Sequence, residues 1–197
     1  MSFQVKRAFR RINRSWLNPS SFIIEFNIEY DYAGPIALLI LYALCGFIFM
    51  TIRQSLGEEN LLNILINGFL NLTEFILTPL IVMAFISFYK VKINFKRDFA
   101  LISYSFSIRI IFYILNTILL YIFLYFYQNS IIGAAIQIFF IISTTWSLTL
   151  QFYYLRADKG IRSFTLLFMI MLSWITVFAA VQIIIYILNT FGLFKIS

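Results

Sequence analysis

The chain has no histidine and a single cysteine, Cys45, among its 197 residues. The first absence removes the commonest general base and the commonest transition-metal ligand. The second removes any disulfide framework. Only eight residues are acidic and three are proline. No HExxH, GxSxG or Walker-type loop occurs, and the apolar runs hold no acid pair at one depth. A non-enzymatic protein without cofactor or metal is the expectation. Charged residues make up only 12% of the chain, against 62% hydrophobic and 20% aromatic, with mean hydropathy +0.91. A soluble domain of this size could not hide so much apolar surface. Near-continuous apolar runs of 19 to 29 residues exclude a β-barrel, whose strands alternate over about ten residues. The fold class expected is therefore all-α, an integral membrane bundle, because a span must satisfy its backbone hydrogen bonds internally.

Positive charge switches on and off between five such runs, read as spans at about 34–52, 69–89, 99–127, 131–155 and 163–193. Lys6, Arg7, Arg10, Arg11 and Arg14 precede the first run. Lys90, Lys92, Lys96 and Arg97 lie between the second and third, in a basic loop read as 90–98. Arg156, Lys159 and Arg162 lie between the fourth and fifth. The opposite connections carry only Arg53, and Lys195 sits near the C-terminus. Basic loops resist translocation, so the N-terminus is placed in the cytoplasm and the C-terminus outside. No signal peptide is expected. Net charge +7 concentrated at one face points to anionic headgroups as partner and away from nucleic acid.

Residues 1–33 read as a cytoplasmic basic, interfacial segment, and 34–197 as the transmembrane domain. Val5, Ala8, Phe9, Ile12 and Trp16 share one helical face and the five basic residues the other. Such a helix lies in the interface plane with its apolar side among acyl chains, so Lys6, Arg7, Arg10, Arg11 and Arg14 are assigned to lipid-surface binding. Asn18-Pro19 reads as a cap and first position of a second short helix running to about Tyr30. Its Phe22, Ile23 and Phe26 would face lipid or the bundle, and Glu25 and Glu29 would face water.

Three short stretches carry a family resemblance. Asn18-Pro19-Ser20-Ser21-Phe22 resembles an "NP..FF" motif. Asp31-Tyr32-Ala33-Gly34-Pro35 resembles a "D-aromatic-x-GP" motif at the head of the first span. Phe95 to Ser105, ending in Tyr104-Ser105, resembles an "fkr...l..YS" motif leading into the third. Together with five spans they are similar to the Yip (Ypt/Rab-interacting) family, prokaryotic type. The usual proline after Tyr-Ser is replaced by Phe106-Ser107-Ile108, and the segment before the first span is short. The resemblance implies a membrane-organising or trafficking-type scaffold or adaptor, with a membrane protein or small GTPase as partner in eukaryotic members. It implies the cell membrane in a prokaryote and endomembranes in a eukaryote.

Within the spans, Arg109 is the most unusual residue. It lies about ten residues into the third run, roughly 15 Å deep at 1.5 Å per residue. A charge there costs at least about 2.5 to 3.5 kcal/mol. Glu74, in the second run, is the only carboxylate inside a span. Counting residues sets the two about 10 Å apart in depth, a gap that extended side chains bridge. A Glu74–Arg109 pair supported by Asn116 or Gln137 is expected. Its role is either to lock helices together or to line an ion or solute pathway. Gln151, Gln182, Asn189, Thr144 and Thr145 are assigned to interhelical hydrogen bonds, and Trp146 and Trp174 to packing. Gly133-Ala134-Ala135 and Ala179-Ala180 suit either intramolecular seams or a homo-oligomer face. Two functions follow: first, a scaffold or adaptor; second, a small channel or permease using Glu74 and Arg109.

Overall fold

A computed structural model describes residues 3–28, 32–55, 61–89, 91–125 and 130–191. Among these residues the structure is helical, with no strand. The elements are α1 (Phe3–Leu17), α2 (Pro19–Ile28), α3 (Ala33–Ser55), α4 (Leu61–Ser87), α5 (Phe95–Ser103), a 3-10 turn (Tyr104–Phe106), α6 (Ser107–Tyr125), α7 (Ser130–Lys159) and α8 (Ser163–Thr190). Five stretches are long and apolar enough to cross a membrane: Ala33–Ile52, Ile64–Ser87, Phe95–Ile122, Ala134–Lys159 and Ser163–Thr190. Their outward faces stay apolar. On α3, for example, Ile36, Ile40, Leu44, Phe47 and Ile48 are all exposed. A helix apolar on every side needs a hydrocarbon solvent, and this makes the chain a multi-pass membrane protein.

The third span begins four residues earlier than the apolar run. Asn94 caps α5 by accepting from the Arg97 amide at 3.3 Å, and the Asp98 carboxylate accepts from the Asn94 amide at 2.9 Å. Residues 95–98, read as loop from their charge, are therefore the first turn of a helix. Arg97 pairs with Asp158, and Lys159 with Asp98 at 2.8 Å and Asp158 at 3.2 Å, which fastens the start of α5 to the end of α7. Partway along, the Ser103 and Ser105 hydroxyls donate to the carbonyls of Phe99 and Ile102, where the helix tightens into its 3-10 turn.

The spans close into a ring: α3 packs on α4 and α6, α4 on α8, and α7 on α6 and α8. The α7–α8 contact is the smallest of the five. Buried residues on α8 end at Val177, so its second half, to Thr190, stands away from the bundle core. Lys92, Lys96, Arg156 and Arg162 are exposed at one end of the ring, called here the basic end.

The N-terminal hairpin of α1 and α2 departs from the interfacial expectation. Ala8 and Ile12 are buried, and the Ser15 and Ser107 hydroxyls share a hydrogen bond of 2.8 Å. The Tyr154 hydroxyl donates to the Ser15 carbonyl. The apolar side of α1 is thus covered largely by the bundle, although Phe9 remains exposed. Phe22, Ile23 and Phe26 of α2 are buried against it as well. Sequence spacing identifies a face but not what covers it.

Arg11, assigned to the lipid surface, has 0% exposure. Glu25, expected in water, accepts from Arg10 at 3.1 Å, Arg11 at 3.4 Å and Arg14 at 2.6 Å. One carboxylate folded back by the α1–α2 turn gathers three guanidinium groups that would otherwise repel one another. Lys6, Arg10 and Arg14 stay exposed and Arg7 is half-buried. Glu29 and Asp31 lie outside the described residues.

Burial tends to raise the Glu25 pKa, but hydrogen bonds from Arg14, Arg10 and Arg11 and the Arg10 charge outweigh it and hold it below its ordinary value. A depressed carboxylate stabilises the docked hairpin above the ordinary carboxylate range, and that contribution is lost as pH falls through the depressed value. Hydrogen-exchange protection of α1 and α2 is therefore expected to drop on acidification below that range. In Glu25→Gln the protection is expected to be weaker throughout and flat with pH. A wild-type profile as flat as that of the variant would dismiss the clamp.

Candidate functional site

Glu74 lies thirteen residues before α4 ends at Ser87, and Arg109 fourteen residues after α5 starts at Phe95. Both are then about 20 Å from the basic end at about 1.5 Å per residue. The 10 Å depth difference expected from counting disappears because the third span starts at Phe95. The two side chains meet: Arg109 Nη1 donates to Glu74 Oε1 at 2.5 Å.

Three further helices and the 3-10 turn complete the group. From α3, the Tyr42 hydroxyl accepts from Arg109 Nη1 at 3.1 Å and donates to Glu74 Oε2 at 3.3 Å. From α7, Thr144 Oγ1 accepts from Arg109 Nη2 at 3.1 Å and donates to the Phe140 carbonyl. From α8, the Trp174 ring lies 4.9 Å from the guanidinium carbon, with Phe106 on the 3-10 turn at 5.4 Å. These contacts spread the charge over dipoles and aromatic faces, the arrangement a buried guanidinium requires. Nearby, the Tyr113 hydroxyl donates to Asn71 Oδ1 at 3.2 Å.

A second polar chain leads toward the basic end. Trp174 Nε1 donates to Gln151 Oε1 at 2.9 Å, and Gln151 Nε2 donates to Ser105 Oγ at 3.0 Å. Gln151 thus makes the interhelical bonds assigned to it. Thr144 acts on Arg109 itself, whereas Thr145 is exposed and bonds only its own helix.

The pair is not fully enclosed by packed side chains. Glu74 and Arg109 keep 21% and 11% side-chain exposure, and both line two cavities. The larger, about 370 Å³, has a polar floor of Asn71, Glu74, Arg109 and Thr144. Its wall on α8 runs through Trp174, Val177, Phe178, Val181, Gln182 and Ile185. The smaller, about 190 Å³, is bounded by Tyr42, Phe112, Tyr113, Phe140 and Ser143. Asn71, Val181, Gln182 and Ile185 lie farther from the basic end than the pair, so the larger cavity extends toward the opposite end.

Asn116 and Gln137 do not support the pair as expected. Asn116 sits two turns from Arg109 on α6, buried with neither polar side-chain atom bonded, and Gln137 is exposed. Trp146, assigned to packing, is 49% exposed. Neither Tyr42 nor Trp174 stands out from the sequence as a site residue. The available signal was depth, since both carry a polar tip far inside an apolar run, where it needs a partner. No group of residues suited to a metal ion occurs among the described residues.

The three motif stretches converge on one side chain. Tyr104 is fully buried, with the Phe22 ring 4.8 Å and the Phe26 ring 5.9 Å from its own. Asn18 caps α2 by accepting from the Ser21 amide at 3.2 Å, with Pro19 at the first helical position. Gly34 approaches Tyr104 so closely that a Cβ there would overlap the phenol. Pro35 lies in the first turn of α3, and Ser105 receives Gln151. Asp31, the remaining motif residue, lies outside the described residues. The motifs therefore pin the N-terminal hairpin to the first and third spans.

No family model, curated protein or solved structure matches this chain. Gly34→Ala forces the Tyr104 ring to move and is expected to cost about 1–3 kcal/mol, the usual toll of overpacking. Gly68→Ala on α4 meets nothing within 4 Å and serves as the control, with no loss expected. Thermal unfolding in mild detergent compares them, and equal stability of the two variants would dissolve the packing node.

Proposed function

We propose that this chain is a non-enzymatic membrane protein that binds a small polar molecule or ion between its helices, as a channel or permease does. The observation that supports this most is that Glu74 and Arg109 wall a cavity of about 370 Å³. Ionisable groups inside a span are costly, and those beside a water-accessible space mark solute and ion pathways. The cavity also has the size and mixed lining of a ligand site. With the basic end in the cytoplasm, the N-terminus lies inside, the C-terminus outside, and the larger cavity faces outward.

A second reading, the Yip-type scaffold or adaptor, draws on the hairpin. The motif stretches fix α1 and α2 against Tyr104 and Tyr154, toward the basic end, while Lys6, Arg10 and Arg14 remain exposed. With Lys96 they form a basic surface for anionic headgroups or an acidic partner. Because α1 is part of the core, its removal would disturb the bundle itself. Lys6→Glu with Lys96→Glu spares the Glu25 clamp and tests the surface cleanly. Under this reading the double variant retains less anionic lipid through purification and loses any crosslinked partner. Unchanged retention of both would end it.

Cysteine labelling tests the first reading. In a Cys45→Ala background, Val181→Cys is expected to react with a membrane-impermeant thiol reagent added outside, because a thiolate forms only where water reaches. Ile183→Cys, exposed on the outer surface of α8, is the lipid-facing control and stays unlabelled. Inertness of Val181→Cys from both faces would remove the aqueous cavity.

A further inference from the structure

From the charge balance of the site we infer its ligand class: the cavity takes a small organic anion, a carboxylate or its equivalent, together with one proton. This rests on the reading of the cavity as a ligand site. In the empty site Arg109 and Glu74 sum to zero charge. Arginine does not deprotonate in proteins, so the positive charge is permanent. Both groups lie inside the span, about 20 Å from the basic end, where apolar helices surround the cavity and an uncompensated charge is costly. A cation bound at Glu74 would leave one positive charge too many, and the only groups there with a proton to shed, the Tyr42 and Tyr113 phenols, both hold it in a hydrogen bond that they donate. An anion bound at Arg109 leaves one negative charge too many, and Glu74 removes it by taking up one proton from the bulk solvent, delivered through the cavity. Anion plus proton is the exchange that keeps the site neutral.

The geometry agrees on which partner can leave. Arg109 is held by groups other than Glu74: Thr144 on Nη2, Tyr42 on Nη1 and the faces of Trp174 and Phe106. Glu74 reaches it through a single nitrogen, Nη1. Apart from that contact, Glu74 is held by the Tyr42 hydroxyl, which can donate to a carboxylate or to the carbonyl of a protonated carboxyl. The cation is therefore the fixed member and the carboxylate the replaceable one. The charged and titratable groups facing Glu74 are Tyr42 from α3 and Arg109 and Tyr113 from α6. On the cavity, α7 contributes the uncharged Thr144, and α8 the uncharged Trp174 and Gln182. No second acid among the described lining residues competes for the proton. The apolar α8 wall suits a ligand whose body is aromatic or aliphatic.

The test uses the full chain in lipid nanodiscs, with benzoate as probe and benzamide and benzylammonium as isosteres of changed charge. Calorimetry in two buffers of different ionisation heat counts protons. Benzoate is expected to bind with uptake of about one proton, and more weakly as pH rises. Benzylammonium is expected not to bind. Glu74→Gln binds benzoate more tightly, with no proton uptake and no pH dependence, and Arg109→Met loses benzoate. If Arg109→Met fails to fold, the Glu74→Gln proton count decides alone. Benzoate binding without proton uptake, tighter binding of benzylammonium, or no benzoate binding overturns the inference. If Val181→Cys is still labelled, only the anion assignment falls. If it too is inert, the cavity reading falls with it.

Discussion

A guanidinium halfway along an apolar span must be neutralised and hydrogen-bonded, and the centre of this bundle is arranged around that demand. Arg109 draws a hydroxyl from α3, a carboxylate from α4, a second hydroxyl from α7 and an indole face from α8. Each of the other four spanning segments thus contributes one group to a residue on the remaining one. Lipid offers no hydrophobic force to press helices together, so such polar contacts help set which helices meet and in what register. The start of α5 at Phe95 belongs to the same constraint. Without those four residues of helix, Arg109 and Glu74 would sit at different depths.

The N-terminal hairpin solves the inverse problem, with many cations and one anion. Glu25 collects Arg10, Arg11 and Arg14, and only then can Arg11 be buried completely. Two of the three guanidinium groups remain largely exposed, so the clamp stabilises the hairpin without cancelling its surface charge. Structural and surface roles thus fall on different residues of one basic run: Arg11 inside, Lys6, Arg10 and Arg14 outside. That division is why the basic run carries both a packing role and an electrostatic one.

Much of this was legible in the sequence. Five apolar runs gave five spanning helices, and the cost of an isolated charge named Glu74 as the partner of Arg109 before any geometry. What failed has a common cause: periodicity reports that a face is apolar, not which neighbour covers it. So α1 was placed among acyl chains, although Ser15 and Ile12 meet the bundle. Charge alone made residues 95–98 a loop, although Asn94 and Asp98 cap a helix there. Trp174 was taken as packing because an indole deep in a span usually is. Its place over Arg109 depends on how α8 packs on α4 and α7 so that the indole reaches across the ring, which no local pattern encodes. Tyr42 was passed over for the same reason.

The two sides of the ion pair are unequal, and this asymmetry bears on how such a site could work. Toward the basic end the interior is filled by aromatic rings: Phe75 and Phe106 at 4.8 Å, Tyr42 against both, and Tyr104 under Phe22 and Phe26. The hairpin, held by the Glu25 clamp and the bonds of Ser15, lies over that cluster. Toward the other end, α8 has no buried residue beyond Val177. The structure is therefore closed on the basic side by tight packing and more loosely packed on the other, where the outer half of α8 has no buried residue. A segment with few buried contacts is the one that moves at low cost. Access to Arg109 from the looser side needs only that half of α8 to shift. On the basic side, by contrast, the aromatic cluster and the hairpin above it would have to part together, so the two sides of the pair differ in how much packing stands in the way.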